Sequence, residues 1–263
     1  MKSNKVAFAA FVMVGVLASC SSTGYRSLDN IKSSGTLNIS TNAEFAPFEY
    51  YDGSTIVGVD ADVISAFAAS IGVNANIVNY DFDAALTAVP SYKVDCAIAG
   101  ITKTAERERT MAFSNPYFKA NQVAVVKSGS SYASLGDASS INAALNVSGT
   151  KIGCQRGTTG DGYISGTLTN ATDVQYDNGA LACKALSNGQ VDAVIIDLEP
   201  AKLYCKNISG IAYLSSVLTE EEYAIALAKN NTTLLASINA FIATISADGT
   251  LDTILAKYFG SND

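Results

Sequence analysis

The feature that most limits how this chain can fold is a helix–strand unit that occurs twice at a constant offset. Ala85-Leu86-Thr87-Ala88-Val89 leads into Val94-Asp95-Cys96-Ala97-Ile98-Ala99-Gly100. Displaced by 97 residues, Ala182-Cys183-Lys184-Ala185-Leu186 leads into Val191-Asp192-Ala193-Val194-Ile195-Ile196-Asp197. Each copy sets an apolar helical run before a strand that is uncharged apart from its entry and, in the second copy, its end. That is the pattern of an α/β architecture with buried parallel strands. Two copies predict two α/β lobes. Open sheets of this kind bind ligands beyond the carboxyl ends of their strands. Gly100 and Asp197, at equivalent strand ends, are therefore predicted to look into one shared cleft.

The flanking sequence fits the same architecture. Thr36 to Ser40 and Ala75 to Tyr80 are predicted strands. Between them Val63, Ile64, Phe67, Ala68 and Ile71 fall on one helical face, opened by Asp60 and closed by Gly72. Asp83 is predicted to cap a helix through Ala88. Lys151 to Gln155 and Asp173 to Tyr176 are strands, and a helix over 179–186 precedes the second echoed strand. Two helices, over 232–246 and 251–258, close the chain.

The N-terminus bears on compartment rather than fold. Lys2 and Lys5 precede an uncharged apolar run from Val6 to Ala18, and Leu17-Ala18-Ser19-Cys20 follows. Charge, short apolar run and small residues make a secretory signal over residues 1–19, too short to span a bilayer comfortably. The residues around Cys20 fit the bacterial lipobox, which predicts a lipidated Cys20 and a membrane anchor. Residues 20–34 are expected to form a tether. Without Lys2 and Lys5 the chain carries 15 basic and 24 acidic residues, a net charge of −9. Such an acidic body argues against nucleic acid as a partner. With no histidine, His-based catalysis and His metal sites are excluded. The cysteines show no metal-like spacing. Cys96 and Cys154 are expected as buried thiols, and a Cys183–Cys205 disulfide is left open. No metal or cofactor is predicted.

A series of short motifs then gives the reading a family. They are Pro47-Phe48-Glu49-Tyr50, Val57-Gly58-Val59-Asp60-Ala61-Asp62, Ala99-Gly100-Ile101-Thr102-Lys103-Thr104-Ala105-Glu106-Arg107 and Phe113-Ser114-Asn115-Pro116-Tyr117. The second half adds Gln155-Arg156-Gly157-Thr158-Thr159-Gly160, Val191-Asp192-Ala193 with Asp197, and Ala247-Asp248-Gly249-Thr250 before Tyr258-Phe259-Gly260. In this order they resemble the polar amino-acid family of solute-binding proteins of bacterial ABC transporters. The resemblance implies a type II periplasmic-binding-protein fold, with crossing strands near 117–121 and 221–225. Lobe 1 would hold residues 35–118 and 224–263, and lobe 2 residues 119–223. It also implies a monomeric, non-enzymatic receptor that delivers a free amino acid to a membrane permease.

The residues agree with a zwitterionic ligand. Arg107 offers a planar fork suited to a carboxylate, and the resemblance makes it the carboxylate clamp. Its spacing beside Glu106, Glu108 and Arg109 would also suit a surface helix. Thr158 and Thr159 open a helix whose unpaired N–H groups favour the same anion, although a plain helix cap would look alike. Asp197, ending an apolar strand, needs a partner for its charge. The ligand ammonium would supply it, helped by the Gly100 carbonyl and the Thr102 hydroxyl. A cap for the following helix is the competing role. By resemblance Phe45 and Phe82 enclose the ligand, with ordinary core packing as the alternative. Asn42 and Gln155 would meet its side chain, implying a neutral polar pocket. Glu44 would repel an acidic ligand if it faced the cleft. These residues rank neutral polar amino acids first, cationic ones second and acidic ones last. Two further readings of the scaffold are a cyclohexadienyl dehydratase-like enzyme and a ligand sensor. The candidate acids for enzyme chemistry, Asp81, Asp83 and Glu220 to Glu222, read more simply as caps or a solvated face.

Overall fold

The computed structural model describes residues 24–260; the signal run and Cys20 lie outside the described residues. Two five-stranded sheets organise the chain. In the first the order is Asn74–Asn79, Thr36–Thr41, Cys96–Ala97, Ala226–Ala228, Met111–Phe113. The first three strands run parallel, with Ile39 opposite both Ile77 and Cys96. Ala226–Ala228 is antiparallel to both of its neighbours. The second sheet repeats the plan: Thr172–Tyr176, Lys151–Gln155, Ala193–Asp197, Gln122–Lys127, Ile211–Tyr213. Again three parallel strands are followed by an antiparallel fourth, Gln122–Lys127.

The antiparallel strands show how the lobes are joined. Gln122–Lys127 follows the crossing strand Phe118–Ala120, and Ala226–Ala228 follows the crossing strand Glu221–Tyr223. These two crossing strands pair antiparallel, Glu221 with Ala120 and Tyr223 with Phe118. The chain thus leaves the first sheet, builds the second and returns, as the resemblance implied. Both echoed segments are the third strand of their sheets, each entered from a helix, Phe82–Ala88 and Gly179–Ser187.

The first copy is shorter than its apolar run suggests. Its ladder covers only Cys96–Ala97, because the backbone turns left-handed at Gly100, φ 53°. Gly100 N–H donates to the Asp60 carboxylate (2.7 Å) instead of a neighbouring strand. A Cβ at Gly100 would sit 2.8 Å from the Phe45 ring, so only glycine fits there.

Burial on both faces explains why the two echoed strands, Cys96–Ala97 and Ala193–Asp197, are apolar up to the terminal Asp197. The helix Val59–Ser70 buries Val63, Ile64, Phe67 and Ala68 in one core with Ile238 and Ile242 of the helix Thr232–Ala247. In the second lobe Ala182 and Leu186 pack with Val125, Val194 and Ile196, while Ile141, Leu145 and Ile164 form a separate cluster with Ile152 and Ile195. Each fully buried large aliphatic side chain contributes ~1.5–3 kcal/mol.

One expectation is corrected and one open question is answered. The tether does not extend to residue 34, because Leu28–Ser34 is a helix capped by Ser27, with Ile31 buried in the first core. Cys183 and Cys205 are free thiols, like Cys96 and Cys154. Among the described residues no single helix is long and apolar enough to cross a membrane.

Candidate functional site

Between the lobes lies a narrow cavity of about 10 Å³, room for about one water molecule as the lobes stand. Asn42, Phe45, Phe82, Gly100, Thr102, Arg107, Gln155, Thr158, Thr159 and Asp197 all line it, together with Glu49 and Ala99. The structure therefore brings all ten residues singled out from the sequence to one place.

Arg107 supplies the positive pole. Its guanidinium donates to the Thr102 carbonyl (2.7 Å) and, across the cleft, to the Gly157 carbonyl (3.0 Å). The group lies 5.4 Å from the centre of the Phe82 ring. Among the described residues no carboxylate lies within ion-pair distance of it, whereas its neighbours Glu106 and Arg109 pair with each other in solvent. Three of its five N–H donors remain for an anion. Desolvation lowers its pKa, and the nearby Glu221 charge opposes that shift most strongly. Arg107 opens a short helical turn, Arg107–Arg109, whose other residues are exposed, while its own side chain is turned into the cleft.

Thr158 and Thr159 are placed beside it by the helix Thr159–Thr167. Thr158 is its N-cap, with Oγ1 accepting from Asp161 N–H (3.4 Å). At this helix start Thr158 N–H donates to the Gln155 carbonyl (3.4 Å) and Gly157 N–H to the Asp161 carboxylate (2.8 Å), so the cap already uses part of its N–H groups. Gly157 takes a positive φ of 74°, and a Cβ there would collide with the Asp83 carboxylate of the first lobe. Glycine is what permits this close approach.

Asp197 supplies the negative pole. It precedes the helix Leu198–Asn207, yet its side chain makes no capping bond. Its carboxylate instead accepts from the Tyr223 hydroxyl at 2.6 Å. Desolvation raises its pKa to about 7, the Glu221 charge adds to the rise, and the Tyr223 bond opposes it. On the first lobe Asp60 pins the Gly100 N–H with one oxygen and accepts from Tyr117 OH (2.8 Å) with the other.

Asn42 and Gln155 close the cavity from opposite lobes. Gln155 Nε2 donates to Asn42 Oδ1 (2.9 Å), and Asn42 Nδ2 donates to the Tyr80 carbonyl (2.9 Å). Phe45 is buried, stacked on Phe48 at 5.9 Å, and it lines the cavity as well as the core.

Other acids stand elsewhere than the sequence suggested. Glu44 is not on the cavity wall. It accepts from Asn178 Nδ2 (2.9 Å), and its carbonyl accepts from Tyr204 OH (3.2 Å), tying the rim of the two lobes. Glu49 does line the cavity, fully buried, with no donor on either oxygen among the described residues. Desolvation, followed by the adjacent Asp60, pushes its pKa well up. Alternation from the buried Phe48 would turn Glu49 to the opposite face, yet both neighbours are fully buried, so no local pattern in the sequence marks Glu49 as a cavity residue. Glu221 is neither a cap nor a solvated residue. It accepts hydroxyl protons from Thr102 (2.6 Å), Thr159 (2.8 Å) and Thr219 (2.8 Å).

Comparison with known proteins gives the chain its family. Residues 37–261 match the family of bacterial extracellular solute-binding proteins, family 3. A probable histidine-binding protein of Neisseria gonorrhoeae is 31% identical over 84% of this chain and 82% of its own length. A putative ABC transporter arginine-binding protein of Escherichia coli is 29% identical over 85% of this chain and 90% of its own. The crystal structure of an ancestral amino acid-binding protein, described as a precursor of cyclohexadienyl dehydratase, superposes with a TM-score of 0.80 at 29% identity. It covers 88% of this chain and 99% of its own. With its two lobes, crossing strands and inter-lobe cavity, this chain belongs to the bacterial extracellular solute-binding proteins, family 3.

Proposed function

We propose that this protein is an extracytoplasmic, lipid-anchored receptor that captures a free polar L-amino acid between its lobes and delivers it to the permease of an ABC transporter. The observation that carries the reading is one small cavity with opposite charges at separate positions. Arg107 there has no acidic ion-pair partner among the described residues, and Asp197 has no basic one. A zwitterion supplies both missing partners, its carboxylate meeting Arg107 and the helix start at Thr158 and Thr159. Its ammonium then meets Asp197, the Gly100 carbonyl and the Thr102 hydroxyl. Phe45 and Phe82 cover the stem, and Asn42 and Gln155 meet the side-chain end. Closure excludes water and strengthens both ionic contacts.

The names of the relatives support an amino-acid ligand and an ABC transporter partner. The lipid anchor rests on the sequence around Cys20. A thermal-shift screen of the purified protein against the common L-amino acids tests the reading. Saturable stabilisation by at least one polar amino acid is the predicted result. No stabilisation by any of them would overturn it.

The raised carboxyls Glu49 and Asp197 favour one second reading, acid–base chemistry on a bound ligand. Incubation with a cyclohexadienyl amino acid, monitored for aromatic product, separates an enzyme from a receptor.

A further inference from the structure

Glu221 stands on the second crossing strand, outside the cavity wall, at a point where both lobes meet. One of its oxygens accepts from Thr102 Oγ1 of the first lobe (2.6 Å) and from Thr159 Oγ1 of the second (2.8 Å). The other accepts from Thr219 Oγ1 (2.8 Å). A carboxylate can only accept, and a hydroxyl has a single proton. Each threonine proton is therefore committed to Glu221. Thr159 Oγ1 uses its accepting side on Gln122 Nε2 (3.1 Å). Thr102, which does line the cavity, is left with lone pairs alone to offer a ligand.

We propose that Glu221 is a positioning residue that fixes the Thr102 hydroxyl as a pure acceptor, so that this point of the cavity selects a cationic donor such as the ligand ammonium. The inference rests on the amino-acid reading given above and deepens it. Without the carboxylate, the Thr102 hydroxyl is free to rotate and turn its proton into the cavity, where it repels an ammonium. Arg107 lies close enough to feel the Glu221 charge, and Asp197 is also within its field.

A double-mutant cycle on the full protein tests this. Affinities of the best amino-acid ligand are measured by calorimetry for wild type, Glu221→Gln, Thr102→Val and the double variant. Glutamine keeps the size but offers one acceptor and two donors, so it no longer enforces the hydroxyl direction. Each single change is expected to weaken binding about tenfold, the scale of one hydrogen bond to a charged group. The double variant is expected to bind within about twofold of Thr102→Val alone, because Glu221 acts through that hydroxyl. Glu221→Asp, with a shorter side chain that keeps the charge, is a second variant should Glu221→Gln melt early. It is expected to recover part of the loss in the wild-type background and none in Thr102→Val. Two results would overturn the proposal: a further tenfold loss in the double variant, or wild-type affinity in Glu221→Gln. Failure of wild type to bind any amino acid would instead refute the functional reading.

Discussion

Amino-acid capture by this cavity should release a proton, and Asp197 sets the size of the effect. Its carboxyl is raised from 3.8 to about 7, first by desolvation and then by the Glu221 charge. In the ligand-free protein the folded state therefore holds this proton more tightly than the unfolded state. The stabilisation this gives is fully present below about pH 4 and is lost as pH rises through about 7. Three units at ~1.4 kcal/mol each bound it at roughly 4 kcal/mol. Ligand binding reverses the preference, because the ammonium requires an ionised Asp197. Below pH 7 capture must expel the proton first, so affinity should fall by about tenfold between pH 8 and pH 6. Titration calorimetry at pH 8, 7 and 6, in two buffers of different ionisation enthalpy, measures this directly. The buffers should report about half a proton released at pH 7 and close to one at pH 6. Asp197→Asn should bind weakly with a flat pH profile. An affinity constant within twofold from pH 8 to pH 6, with no buffer dependence, would refute the reasoning.

Three further outcomes follow from the same geometry. Arg107→Ala should leave the fold intact but weaken amino-acid binding about a hundredfold or more, since breaking a desolvated ion pair costs ~3–5 kcal/mol; a loss of only two- or threefold by calorimetry would remove Arg107 from the clamp. Glutamate should rank last among glutamine, serine, histidine, arginine, cystine and glutamate, because Glu221, Asp197, Asp83 and Glu106 already act on the one guanidinium; competition binding that places glutamate first would contradict this. Mass spectrometry of protein from native membranes should find diacylglycerol on an N-terminal Cys20, and an unmodified N-terminus at another residue would contradict the anchor.

Much of this was legible in the chain because the informative features were local. Strand ends and helix starts can be read from short patterns, and these place Gly100, Thr158, Thr159 and Asp197 near a cleft. The 97-residue echo identified the third strand of both sheets. What was not legible depends on distance in the fold. Glu44 sits next to Phe45, a cavity residue, yet points to Asn178 on the opposite rim. Glu221 looked like part of an exposed acidic run, and only the pairing of Glu221–Tyr223 with Phe118–Ala120 carries it between Thr102 and Thr159. Glu49 was hidden for a related reason. Nothing in Pro47-Phe48-Glu49-Tyr50 reveals that Asp60 will lie against it and that both acids will be buried. The Val94 to Gly100 run predicted a longer strand than forms, because the Asp60–Gly100 bond that ends it spans 40 residues.

The central claim is that the two poles of this cavity hold the two ends of one amino acid. The most direct test is a crystal structure of the protein with the amino acid that stabilises it most. The account predicts the α-carboxylate on Arg107 and the N–H groups at Thr158 and Thr159, with the α-ammonium on Asp197, the Gly100 carbonyl and Thr102 Oγ1. A ligand bound elsewhere, or one whose carboxylate faces Asp197, would contradict it.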